Sequence, residues 1–153
     1  MNALELRKPP AALFLVAMAG MWLAAKFVPV LAVEIPGRRF FVMLLFCLGG
    51  IVAVPAIAAF RSARTTVDPR RPDEASRLVV RGVYRFSRNP MYLGLLSLLG
   101  AWAFYLSNLL AFGGLALFVL AINRLQIKPE EAAMEARFGD EFRAYRESVR
   151  RWI

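Results

Sequence analysis

The chain has 153 residues, 59% of them hydrophobic, with a mean hydropathy of +0.51 and a formal net charge of +9. A water-soluble domain does not combine so much apolar surface with so much basicity, and the charges flank apolar runs instead of forming a patch, which argues against a nucleic-acid partner. With no histidine and a single cysteine, Cys47, inside an apolar run, the sequence has no histidine general base, no histidine-activated nucleophile, no disulfide framework and no ordinary zinc site.

The first element in chain order is an apolar segment over about residues 11–33, running through Lys26 and Pro29 and long enough to span a bilayer. Its start, Lys8-Pro9-Pro10, is too weakly charged and too proline-rich for a signal peptide, and no small-residue cleavage site follows. It is therefore read as a mature span. A second span covers about residues 40–60, with 21 uncharged positions from Phe40 to Phe60. Gly49-Gly50 and Pro55 inside it suit a bilayer, where small residues let helices approach closely.

Residues 61–85 change character. Eight arginines fall between Arg61 and Arg88, with Asp68, Asp73, Glu74, Pro69 and Pro72 among them, which predicts a water-exposed loop. The uncharged stretch from Met91 to Asn123 is too long for one span, and Ser107-Asn108 divides it into spans over about residues 86–106 and 109–127. The tail, residues 129–153 with a helix expected over 129–151, carries Met134, Phe138, Phe142, Tyr145, Val149 and Trp152 at spacings of three and four. That pattern predicts one amphipathic helix lying on a membrane surface or against another helix.

The expected fold is all-α: one integral membrane domain over residues 1–153, a polytopic bundle of four transmembrane helices with an amphipathic C-terminal helix. Arg7 and Lys8 precede the first span, the eight arginines follow the second, and seven basic residues lie from Arg124 to the end. The opposite loops hold only Arg38 and Arg39, beside Glu34, and nothing charged at Ser107-Asn108. The positive-inside rule places both termini and the arginine-rich loop in the cytoplasm.

Two groups of residues carry the candidate chemistry. The stretch GVYRFSRNPMYLG, Gly82 to Gly94, crowds Tyr84, Arg85, Arg88, Asn89, Pro90 and Tyr92 at the mouth of the third span. Taken singly these have structural explanations: Asn89-Pro90 starts a helix, the arginines anchor headgroups, and the tyrosines belong to an interfacial belt. Their crowding is not explained that way. The second group is Arg124, Lys128, Glu130 and Glu131, where the fourth span leaves the bilayer. Arg124 and Glu131 are seven residues apart and share a face if the helix continues past Pro129. Both groups emerge at the same membrane depth, so they are expected to converge on one pocket for a polar, charged small molecule.

The block LVVRGVYRFSRNPMYLG, followed some forty residues later by EEAAMEARFGDEFRAYRESVRRWI, resembles the isoprenylcysteine carboxyl methyltransferase and phospholipid methyltransferase superfamily of membrane enzymes. The resemblance covers about Thr65 to Ile153. It implies an S-adenosylmethionine-dependent methyltransferase in which Leu78, Val79, Tyr84, Arg88, Asn89, Pro90, Met91 and Tyr92 line the cofactor site and Glu130 completes it. Arg124 to Gln126 correspond to the family's contact with the acceptor, and Arg124 and Glu131 are the candidate catalytic residues. Asn89 stands where the family pattern has histidine. It keeps a hydrogen-bond donor and acceptor but cannot carry a proton. A carboxylate or thiolate acceptor needs no base, whereas an amine or phenol would call on Glu130 or Glu131. The expected partners are membrane lipids and a lipophilic acceptor. Two other readings remain: a nicotinamide-dependent membrane reductase of the sterol-reductase type, and a non-catalytic accessory protein.

Overall fold

The computed structural model describes residues 10–62 and 78–153. The Arg7-Lys8 flank and the acidic, proline-bearing part of the arginine loop, Asp68 to Glu74, lie outside these residues. Among the described residues six α-helices follow in order: α1 (Pro10–Phe27), α2 (Arg38–Ser62), α3 (Pro90–Leu106), α4 (Leu109–Ile122), α5 (Lys128–Phe138) and α6 (Asp140–Ser148). Tight 3₁₀ turns occupy Pro29–Leu31 and Gly82–Arg85, and no strand occurs among the described residues. An isolated antiparallel bridge joins Ala32 and Asn108.

Among the described residues, three helices are long and apolar enough to cross a membrane: Pro10–Phe27, Arg38–Ala59 and a continuous helix, Leu109–Phe138, formed by α4, α5 and the turn between them. The 17-residue α3 is apolar but shorter. Large apolar side chains face outward along these helices, among them Phe46 (62% exposed) and Leu117 (68%). An apolar exterior of this extent is costly in water and is the natural surface toward lipid. The chain is a membrane protein. The continuous helix has 30 residues, about 45 Å at ~1.5 Å per residue, against a hydrocarbon core of ~30 Å. Its charged part, from Arg124 onward, therefore projects beyond the apolar stretch.

The helices run alternately up and down. At one end, Val33 N–H donates to the Ser107 carbonyl (2.8 Å), and Asn108 Nδ2 donates to the Val28 carbonyl (3.0 Å). Ser107 ends α3 in a left-handed conformation (φ 50°), and Asn108 caps α4 by accepting from the Leu110 N–H. At the opposite end, the segment entering α3 meets the C-terminal tail. Helices α2 and α3 come closest where glycine removes side chains: a Cβ added at Gly94 would sit 2.8 Å from Ala53 Cβ and 3.1 Å from the Gly49 carbonyl oxygen. Small residues at such a crossing let two backbones gain dispersion contact that lipid cannot supply. Gly50 faces open space. Met21, Leu99, Phe118, Ile122 and Ile127 form the buried core where α1, α3 and α4 meet.

Four local features depart from the expected layout. The first helix ends at Phe27, not near residue 33, because Val28, preceding Pro29, leaves the helical conformation (φ −124°, ψ 63°) and a 3₁₀ turn follows at Pro29–Leu31. The third helix begins at Pro90, not near residue 86, because Gly82 (φ 63°) opens a 3₁₀ turn and proline, lacking an N–H, suits the first helical turn. The fourth helix passes Pro129 unbroken, but through a π turn at Asn123–Ile127 in which Lys128 N–H reaches the Asn123 carbonyl. That turn adds about one residue, a rotation of ~100°, so the face that a regular helix would share is split. The tail is two helices, not one. Gly139 (φ 52°, ψ −120°) ends α5, and Val149 is extended after α6, which leaves Val149 to Ile153 outside any helix with carbonyl groups available as acceptors.

Candidate functional site

The site forms where the turn before α3 meets the first turns of α5 and the segment after α6. Arg88 is its centre. Its side chain is 9% exposed, Nη2 pairs with Glu131 Oε1 at 2.8 Å, and Nη1 donates to the carbonyls of Arg146 (2.7 Å) and Val149 (2.8 Å). Its own N–H donates to the Arg150 carbonyl (3.0 Å). Arg88 Nε is buried and has no hydrogen-bond partner among the described residues. A buried N–H left in that state costs about 1–3 kcal/mol.

Glu131 lies between two arginines. Arg151 Nε donates to Oε1 (3.1 Å) and Nη2 to Oε2 (2.5 Å), a two-pronged fork, while Arg88 adds one bond. Burial works against the Glu131 charge, but the hydrogen bonds from Arg151 and Arg88 outweigh it and hold the carboxyl below the ordinary carboxylate value. Glu130, one position earlier, has the opposite environment. It accepts a short hydrogen bond from Tyr92 Oη. Burial pushes its carboxyl up to about 8, against the lowering effect of the Tyr92 bond, and the nearby Glu131 charge adds to the rise. Two adjacent carboxylates on the same turn thus have separate states, one held ionised and one held protonated near neutral pH.

Two further tyrosines close the floor. Tyr84 is buried in the 3₁₀ turn, and its carbonyl accepts from Tyr145 Oη at 2.7 Å. Burial pushes both phenols up, Tyr145 to about 12, and Tyr84 further. Asn89 uses its side chain structurally: Nδ2 donates to the Arg151 carbonyl (3.0 Å), and its N–H reaches Ser87 Oγ (3.1 Å).

Of the residues expected at the site, Tyr84, Arg88, Asn89, Tyr92, Glu130 and Glu131 are brought together. Pro90 is buried at the start of α3, with Met91 half-buried beside it; Leu78 and Val79 are half-buried in non-helical backbone leading to the turn. Arg124 is not brought in. It is exposed on the π turn and makes no ion pair with the cluster among the described residues. Sequence reasoning missed Ser87, Arg151 and the tail carbonyls. The Arg150-Arg151 pair was the available signal, but a basic pair at the end of an amphipathic stripe reads as a headgroup anchor.

A family model described as phospholipid methyltransferase matches residues 38–141 of this chain. An uncharacterized protein of Haemophilus influenzae is 51% identical over 63 residues, which are 41% of this chain and the whole of that protein. No solved structure matches.

Proposed function

This chain belongs to the phospholipid methyltransferase family, and on that premise we propose that it transfers a methyl group from S-adenosylmethionine to a lipophilic acceptor bearing a carboxylate, thiol or amine. The reaction takes place at the cytoplasmic membrane face, in a bundle of four spans with both termini on that side. The observation that carries this reading is the meeting of two sequence-distant clusters, through the Arg88–Glu131 ion pair and the Tyr92–Glu130 hydrogen bond.

The donor set suits the cofactor. S-adenosylmethionine carries a carboxylate, an ammonium and a positive sulfur, and so requires an acid for its cations and an N–H donor for its anion. Glu130, beside the buried Tyr84 and Tyr92, is the acid. Arg88 Nε, buried with no partner among the described residues, is the donor. When bound, the cofactor supplies an electrophilic methyl group on a sulfonium leaving group.

The chain's own residues then have distinct tasks. Glu130 ionises when a cation is placed beside it, releasing its carboxyl proton, and Tyr92 Oη orients the resulting carboxylate. Where the acceptor is an amine, the Glu130 carboxylate formed in this way is also the proton acceptor. Glu131, held ionised by two arginines, is a weak base and serves to hold Arg88. Asn89 carries no proton and ties the tail to the motif. The aromatic floor and the tail keep bulk water from the reacting groups.

The test is equilibrium binding of tritiated S-adenosylmethionine to the purified protein in detergent, with NADPH in parallel. Saturable binding of the first, lost in Glu130→Gln, supports the proposal. Binding of NADPH instead identifies a reductase, and binding of neither identifies an accessory protein. A methyl-transfer screen over lipid extracts with mass-spectrometric detection then identifies the acceptor.

A further inference from the structure

The Arg88–Glu131–Arg151 triad is asymmetric. Arginine and carboxylate prefer a fork of two parallel bonds, formed through Nε and Nη2. Arg151 makes that fork with Glu131, occupying both carboxylate oxygens, whereas Arg88 contributes Nη2 alone. Its Nε, on the same edge as Nη2, is buried and without a partner among the described residues. Nη1 is meanwhile held by the Arg146 and Val149 carbonyls, so the guanidinium cannot turn freely. The tail half of this arrangement, Arg146 to Arg151, lies beyond residues 38–141 that the family model matches.

We propose that Arg151 is a positioning residue for the ligand site: by occupying both oxygens of Glu131, it prevents that carboxylate from closing on the Nε edge of Arg88, and so keeps Nε for an anionic oxygen of the methyl donor. This rests on the reading that Arg88 contacts the carboxylate of S-adenosylmethionine. Without Arg151, Glu131 rotates into a fork with Arg88 and takes the nitrogen that the ligand needs. The C-terminal segment is on this account part of the binding site, although its side chains face the protein and not the ligand.

A double-variant comparison tests the idea, using tritiated S-adenosylmethionine and the full-length protein in detergent. Arg151→Ala binds roughly 10- to 100-fold more weakly than wild type, the range covered by loss of one hydrogen bond to a charged group. Adding Glu131→Gln to Arg151→Ala restores part of that loss, because an amide forks poorly with a guanidinium. Arg143→Ala, which removes the same charge from an exposed pair with Asp140, binds as wild type does. A merely structural Arg151 gives the opposite order, with the double variant weaker than the single one. That order, or wild-type affinity in Arg151→Ala, overturns the inference and leaves the methyl-donor reading standing. Failure of the wild type to bind overturns both. If Arg151→Ala does not keep its helical fold, Arg151→Gln with and without Glu131→Gln decides by the same comparison.

Discussion

Replacing Arg88 by alanine removes an ion pair with Glu131 at 2.8 Å and two hydrogen bonds to the Arg146 and Val149 carbonyls at 2.7 and 2.8 Å. The two ionic side chains are only 9% and 14% exposed, so solvent screens little of the interaction. Breaking a buried pair costs about 3–5 kcal/mol when it strands a charge. Here Arg151 still holds Glu131 with two bonds, which places the expected loss at the lower end, about 3 kcal/mol. At roughly 2–4 °C per kcal/mol for a chain of this size, the unfolding midpoint falls by about 6–12 °C. Thermal unfolding followed by far-ultraviolet circular dichroism in detergent measures it. Hydrogen exchange of the tail amides, residues 145–151, rises in parallel, since the segment loses its main anchor. A midpoint unchanged within experimental error, with wild-type tail protection, refutes the claim that Arg88 fastens the tail to the site.

Glu131 has a depressed carboxyl, so its stabilisation is fully present above the ordinary value of 4.5 and is lost as pH falls through the lower folded value; the unfolding midpoint therefore drops below that pH, and Glu131→Gln flattens the dependence. Gly94→Ala forces a Cβ to within 2.8 Å of Ala53 Cβ and costs about 1–3 kcal/mol by overpacking, whereas Gly50→Ala, with nothing within 4 Å, stays within about 0.5 kcal/mol of wild type; paired unfolding curves read the difference. With Cys47→Ser removing the lone thiol, a cysteine introduced at Ser148 reacts with a membrane-impermeant maleimide only after the cells are opened, as a cytoplasmic C-terminus requires. Labelling of intact cells refutes that orientation.

The helical membrane character was legible in the sequence because its cause is local. The uncharged run from Phe40 to Phe60 has few stable conformations other than a helix in lipid, and Ser107-Asn108 marks a turn by its polarity within an apolar stretch. The family resemblance lay in residues whose order the sequence displays, and the family model over residues 38–141 matches it. The π turn and the break at Gly139 were less legible. A π turn adds a residue without a distinctive composition, and it separates Arg124 from Glu131 although their spacing suggested a shared face. Gly139 lies inside an apparently continuous apolar stripe, and only its positive φ shows that the stripe belongs to two helices.

From the amino-acid order alone follow the membrane bundle, its charge asymmetry and the identity of the two polar clusters, because hydropathy and charge act through single residues and their near neighbours. The tertiary structure decided how those clusters are used: Arg88 and Asn89 grip the backbone of a tail some sixty positions away, and Glu130 and Glu131 take opposite protonation states one position apart. Every residue but proline offers the same backbone donor and acceptor, so a side chain's choice of a distant carbonyl leaves no mark in the sequence. Burial and charge partners, which set the state of each acid, likewise exist only once the chain has folded.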